Sequence, residues 1–234
     1  MLDISKIRAI SLDLDDTLWP IWPTIERAEK ALALWLGQQA PGAAAVFANA
    51  HTRKRIREEV ERAMPGMTHD LSALRRESIR LALRQANENT DLAEPAFDIF
   101  FAERMRVDLF VDAWPALAFL AERFPLVALS NGNADVDRIG LGEFFEACIS
   151  DREFGVGKPD PRIFHAAAAS AGVSVEAVLH VGDDAELDVL GALSAGMQTV
   201  WVNRNENEWV HELKPHVTVT SLVDLCRMLG AESS

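Results

Sequence analysis

Short apolar runs that stop abruptly at polar clusters alternate along this chain with longer stretches of helical period. Residues 7–12 are apolar and partly β-branched, and they end at Asp13-Leu14-Asp15-Asp16-Thr17. Residues 125–129 end in the same way at Ser130-Asn131-Gly132-Asn133, and residues 178–181 end at Gly182-Asp183-Asp184. Further short runs occupy 147–149, 199–202 and 217–219. Runs of this length and composition, bounded by turn residues, predict buried strands. Helical spacing separates them: a helix from 114 to 123, one from 161 to 171, one from 186 to 195 and a last one carrying Leu222, Leu225 and Leu229. Asp160-Pro161 supplies an N-cap and a first-turn proline, Gly172 closes that helix, and Ser221 with Asp224 forms a capping box.

Between the first two strands the pattern changes. Residues 19–108 show helical spacing throughout, with no convincing strand. The expected helices are 24–36, stopped by Gly37; 43–64, with a strongly charged face; 71–86; and 94–106. The expected organisation is therefore an α/β core of residues 1–18 and 109–234, with a helical domain of residues 19–108 inserted after the first strand. Strand–helix alternation in the core predicts a Rossmann-like, doubly wound parallel sheet. Trp19-Pro20-Ile21-Trp22-Pro23 forms a stiff linker into the insert, and residues 108–112 form the return path.

Composition narrows the class. The chain has 234 residues, 49% of them apolar, and a formal net charge of −13. That acidity argues against nucleic-acid binding, which needs a basic face, and against docking on anionic membranes. No run approaches transmembrane length, and Met1–Lys6 has no apolar signal core. Cys148 and Cys226 lie in apolar surroundings without metal-like spacing and read as buried thiols of a reducing compartment. A cytoplasmic protein, monomeric or homodimeric, is expected.

Candidate chemistry sits where the strands end. In an open parallel sheet the ligand binds beyond the carboxyl ends of the strands. If the three polar strand ends are neighbours, they bring together Asp13, Asp15, Ser130, Asn131, Lys158, Asp183 and Asp188. Clustered carboxylates without a histidine or cysteine set suit a hard cation, above all Mg²⁺. Lys158, in Gly155-Val156-Gly157-Lys158-Pro159, adds an ammonium. A cation, a lysine, a hydroxyl and turn N–H groups make an anion site, most naturally for phosphate. One carboxylate there can serve as nucleophile and a second as general acid.

These same residues carry a resemblance. Asp13-Leu14-Asp15-Asp16-Thr17-Leu18, Leu129-Ser130-Asn131-Gly132-Asn133, Lys158-Pro159-Asp160 and Gly182-Asp183-Asp184 with Asp188 resemble, in order and spacing, the four motifs of the haloacid dehalogenase-like hydrolase superfamily. The helical insert resembles that superfamily's four-helix cap. Leu141-Gly142-Glu143-Phe144-Phe145, Leu179-His180-Val181-Gly182-Asp183-Asp184 and Gly196-Met197-Gln198 with Trp201-Val202-Asn203 are similar to the bacterial branch of FMN and 5-amino-6-(5-phosphoribitylamino)uracil phosphatases. The resemblance implies a phosphatase of a small phosphorylated metabolite. Asp13 is then the nucleophile that forms an aspartyl-phosphate, and Asp15 the general acid and base. Mg²⁺ is held by Asp13, the backbone carbonyl of Asp15 and Asp183. Ser130 and Asn131 bind the phosphoryl oxygens, and Lys158 neutralises charge. Asp188 orients Lys158 or a metal-bound water, and Asp184 supports the metal from further out.

Other residues carry weaker expectations. His180 reads as a satisfied core histidine, and His69-Asp70 as a surface turn. Trp19 and Trp22 read as packing residues, with stacking on an aromatic leaving group as the alternative. Competing functions are a metal-independent haloacid dehalogenase, against which Asp15 and Asp183 both argue, a phosphomutase, and a catalytically inactive binding protein.

Overall fold

The computed structural model describes residues 1–67 and 69–230. The chain forms two compact units, Met1–Pro20 together with Asp108–Ser234, and Ile21–Val107. No helix among the described residues is long and apolar enough to cross a membrane.

The described residues of the first unit form a six-stranded sheet from β1 (Ala9–Leu12), β2 (Leu126–Ser130), β3 (Ala147–Ser150), β4 (Val178–Gly182), β5 (Gln198–Val202) and β6 (Val217–Val219). The order is β3-β2-β1-β4-β5-β6, and every pairing is parallel. Strands β1, β2, β4 and β5 are buried along their whole length, which is why they read as mostly apolar runs. The winding reverses between β1 and β4, so their carboxyl ends open onto a topological switch point.

The helix Pro161–Ser170 packs Ile163, Phe164 and Ala167 onto Ala9, Val127, Leu129 and Val178 of the sheet. Asp160 caps it by accepting from the Arg162 N–H, as the sequence predicts. Strand β3 is an edge with no fully buried residue, which corrects one expectation: Cys148 is exposed, while Cys226 is buried. The apolar run around Cys148 does not distinguish an edge strand from a central one.

The second unit is helical. Leu32, Leu36, Ile56, Ile79, Leu83, Phe97 and Phe100 form one core shared by its helices. Two boundaries differ from the sequence expectation. The first helix spans Ile21–Gln39 and runs through Gly37. Pro23 fits its first turn, where no N–H partner is needed, and the helix ends only where Pro41 disfavours the helical state of Ala40. The expected 43–64 helix is two, Pro41–Ala48 and Ala50–Ala63. Asn49 leaves the helical region and its side chain accepts from the His51 and Thr52 N–H groups, an N-cap that stops one helix and starts the next. Asp70, next to His69, likewise caps Leu71–Gln85 through the Ala73 N–H.

Candidate active site

Strands β1 and β4 lie in register, with Ser11 opposite His180 and Leu12 opposite Val181. The Asp13 N–H extends this ladder by donating to the Val181 carbonyl at 2.9 Å. Asp13 and Asp183 therefore leave neighbouring strand ends, with Ser130 at the end of β2 on the other side of β1.

Lys158 joins them. Its Nζ donates to Asp13 Oδ1 at 2.5 Å and to Asp188 Oδ1 at 2.6 Å, and all three residues are buried. The lysine is held by its backbone. The Asn131 side-chain amide clamps it from both sides, accepting from the Lys158 N–H at 2.7 Å and donating to the Lys158 carbonyl at 2.8 Å. Gly157 makes that approach feasible, since a Cβ there would lie 2.7 Å from Asn131 Oδ1. The amide oxygen and one amide hydrogen of Asn131 thus belong to the Lys158 peptide. Ser130 Oγ accepts from the Gly132 N–H at 2.9 Å.

Asp188 is the hub of a buried chain. Its Oδ1 meets Lys158 and, at 3.2 Å, His180 Nε2, while its Oδ2 accepts from the Asp184 N–H at 3.0 Å. His180 Nδ1 lies 2.8 Å from Ser11 Oγ. Burial opposes ionisation of Asp188, but Lys158 and then His180 outweigh it and its carboxyl is held well below the usual range. Burial lowers the His180 pKa, so the ring is neutral. A neutral ring with its proton on Nε2 satisfies both contacts. His180 is the satisfied core histidine the sequence suggested, and it is also wired to the lysine.

Asp183 and Asp13 are less well compensated. Burial, reinforced by the Asp188 charge, pushes Asp183 up to about 7, against a hydrogen bond from Thr17 Oγ1 at 3.0 Å. Burial raises Asp13 well above the carboxylate range, with Asp188 and Asp183 adding to it and Lys158 opposing it. Burial works against the charge on Lys158 too, yet Asp13 and Asp188 hold it protonated far above neutrality. Asp13, Asp183 and Asp188 each offer an oxygen within 4.8 Å of the others. Three carboxylates share one ammonium. A hard divalent cation fits this oxygen set and its residual negative charge.

Asp15 is half-buried on the loop after β1, where Trp19 Nε1 donates to its Oδ1 at 2.8 Å. Two expectations change here. Trp19 is 0% exposed, the packing residue the sequence suggests, whereas Trp22 is 71% exposed on the helical unit and does not pack as expected. Asp184 is exposed and its Oδ1 accepts from the Glu186 and Leu187 N–H groups, so its side chain caps the π-helical turn Ala185–Leu190 and only its backbone N–H reaches the acidic cluster.

Two site residues were missed in the sequence. Trp201 Nε1 donates to the Asp183 carbonyl at 2.7 Å, and Trp209 packs edge-on against Trp201. Arg204 donates to the Thr17 carbonyl at 2.9 Å and pairs with Asp112 at 3.1 Å. Both flank the end of β5, the strand beside β4. A fourth strand end next to the acidic one was the available signal, because side chains there reach the same opening.

A doubly wound parallel sheet with a buried Asp–Lys–Asp array at its switch point defines a hydrolytic α/β architecture, and a family model for haloacid dehalogenase-like hydrolases matches residues 7–196. The chain belongs to that family of hydrolases. It is similar over 234 aligned residues, at 34% identity, to the 5-amino-6-(5-phospho-D-ribitylamino)uracil phosphatase YigB of Escherichia coli (strain K12), covering 97% of this chain and 98% of the relative. A phosphoserine phosphatase of Thermus thermophilus is 36% identical over 149 residues, 61% of this chain and 60% of that protein. Among solved structures, one described as a 2-haloacid dehalogenase from Pseudomonas syringae pv. Tomato DC3000 superposes with a TM-score of 0.91 at 37% identity, covering 95% of this chain and 98% of that one.

Proposed function

We propose that this protein is a Mg²⁺-dependent phosphatase acting through an aspartyl-phosphate on Asp13, with FMN or a related ribityl phosphate as the favoured substrate, in the cytoplasm. Hydrolysis of phosphoric monoesters is the activity its phosphatase relatives support. The ribityl preference rests on the motif resemblance and on the relative named for a phosphoribityl substrate. The observation that carries the reading is the cluster of three carboxylates, two of them buried and paired with the single ammonium of Lys158.

In this reading the Asp13 carboxylate attacks phosphorus while the bond to the leaving alcohol breaks, and Asp15 delivers a proton to that alcohol. Asp15 then takes a proton from the water that attacks phosphorus and releases Asp13. Ser130 donates its hydroxyl hydrogen to a phosphoryl oxygen. Lys158, fixed by Asn131 and Asp188, offsets charge beside the nucleophile. The Asp13 and Asp183 carboxylates and the Asp15 carbonyl would hold Mg²⁺, which supplies neutralisation of the phosphoryl charge. Asp188 has its oxygens on Lys158, His180 and the Asp184 N–H, so we assign it to positioning rather than to the metal. Positioning and charge neutralisation carry most of the rate gain in phosphoryl transfer.

The dehalogenase description of the 37% identical structure favours a second reading, an ester formed on Asp13 by displacement of halide. The uncompensated Asp183 and the second acid of the first motif argue against it, since a metal-free carboxylate substrate adds negative charge to an acidic cluster. The test is product release from a panel of FMN, phosphosugars, nucleoside monophosphates, an aryl phosphate and 2-chloropropionate, with and without EDTA. Phosphate release that EDTA abolishes, strongest for FMN or a ribityl phosphate, is expected. Halide release that EDTA leaves untouched would replace this reading with the second.

A further inference from the structure

We propose that Trp19 is the positioning residue for Asp15, its indole N–H dictating which carboxyl oxygen exchanges the proton with the leaving alcohol; this rests on the reading of Asp15 as the general acid. The loop after β1 is tight. The Leu18 N–H donates to the Leu14 carbonyl at 2.8 Å, and the Asp16 N–H donates to the Trp19 carbonyl at 2.7 Å. Asp16 adopts the left-handed region at φ 58° to make the turn. The loop is also tied from outside, because the Phe110 N–H donates to the Leu18 carbonyl at 2.9 Å and Arg204 donates to the Thr17 carbonyl at 2.9 Å. Trp19 is thereby set in the interior, fully buried, and its Nε1 meets Asp15 Oδ1 at 2.8 Å.

The chemistry of the indole makes this contact directional. Indole nitrogen is a donor only, so the oxygen it meets must act as an acceptor in every state of Asp15. When Asp15 carries a proton, Oδ1 cannot present it along that line, and the proton belongs to Oδ2. One buried donor thus orients the carboxyl plane and distinguishes its two oxygens. A packing tryptophan needs only its rings buried. This one also places its one polar atom on the one acid of the loop whose work requires a fixed direction.

General acid catalysis supplies the readout. A proton from Asp15 matters when the leaving group is a basic alkoxide and matters little when it is a stabilised phenolate. The pair 4-nitrobenzyl phosphate and 4-nitrophenyl phosphate is similar in shape and differs in that property. Two replacements separate the N–H from the packing: Trp19→Phe, and Trp19 replaced by 3-benzothienylalanine, an isostere with sulfur in place of the N–H. kcat/KM, which reports phosphoryl transfer to the enzyme, is measured for both esters, with Asp15→Asn as reference. The expected result is a loss of about tenfold for the benzyl ester, at least about fivefold greater than for the nitrophenyl ester, in both replacements, with Mg²⁺ affinity unchanged. Equal losses on the two esters, or none with the benzothienyl isostere, would overturn the proposal and leave Trp19 as packing. Asp15→Asn distinguishes the two levels. If it also shows no preference for the activated ester, the assignment of Asp15 as the acid fails; if it does and the Trp19 replacements do not, only the role of Trp19 fails.

Discussion

Gly182 closes β4 with no side chain because Asp188 occupies the space one would take: a Cβ there would lie 2.3 Å from Asp188 Cγ. Gly182→Ala is therefore expected to push Asp188 off Lys158 and to lower kcat at least about tenfold, the range in which a residue orienting a reacting group acts. Steady-state kinetics with an aryl phosphate checks it, and retained kcat would show that Asp188 need not face the lysine. Asp183 gives a second test at this scale. The Trp201 indole holds its carbonyl, so Trp201→Phe should weaken Mg²⁺ binding roughly five- to tenfold in a calorimetric titration, the worth of one hydrogen bond behind a metal ligand. Asp13, Asp15 and Asp183 were legible in the sequence because they cluster where apolar runs end. What held them was not. Asn131 on the Lys158 backbone and Trp201 on Asp183 are contacts across 27 and 18 residues, made only once β2, β4 and β5 are aligned. Asp184 misled for the opposite reason. Next to Asp183 in sequence, it turns outward to cap the following turn.

Elements of the sheet were readable because strands buried on both faces are mostly apolar, with few polar interruptions such as Ser11 and His180. The edge strand β3 was found from the same kind of run, yet its exposure was misjudged at Cys148, since burial depends on a neighbour that the run itself does not name. In the helical unit the ends of helices followed local chemistry. Asn49 divides an otherwise continuous helical period by capping it, and Asn49→Ala is expected to cost about 1 kcal/mol in denaturant unfolding. Phe97, 1% exposed and packed among Leu32, Leu36, Ile79 and Leu83, is the contrasting case. Phe97→Ala should destabilise by about 3–5 kcal/mol, because the cavity adds to the lost transfer energy. If Asn49→Ala proves the costlier of the two, capping rather than the shared core dominates that unit.

At the scale of the whole molecule, acidity and architecture meet in one place. A chain of net charge −13 gathers three carboxylates at the switch point of its sheet and supplies one lysine among them. The metal-free protein carries a corresponding pH dependence. Asp183, raised to about 7, holds its proton in the folded state after the unfolded chain has released it near 3.8. Its contribution to stability is fully present below that lower value and is lost as pH rises through about 7. Asp183→Asn removes the contribution, and the histidine terms cancel in the comparison. In EDTA, the variant should thus gain in Tm over the parent as pH rises from about 4 to about 7, the window set by the two pKa values. A constant difference would mean that Asp183 ionises as freely in the fold as outside it. The central claim is attack on phosphorus by Asp13 and release by water at phosphorus, and the oxygen of that water reports it. After multiple turnovers of FMN with Mg²⁺ in water enriched in heavy oxygen, mass spectrometry of the phosphate and of the peptide containing Asp13 is expected to find the label in the phosphate alone. Label in the Asp13 carboxylate would mean that water attacks the carboxyl carbon, as in an alkyl-ester mechanism, and would contradict the aspartyl-phosphate account.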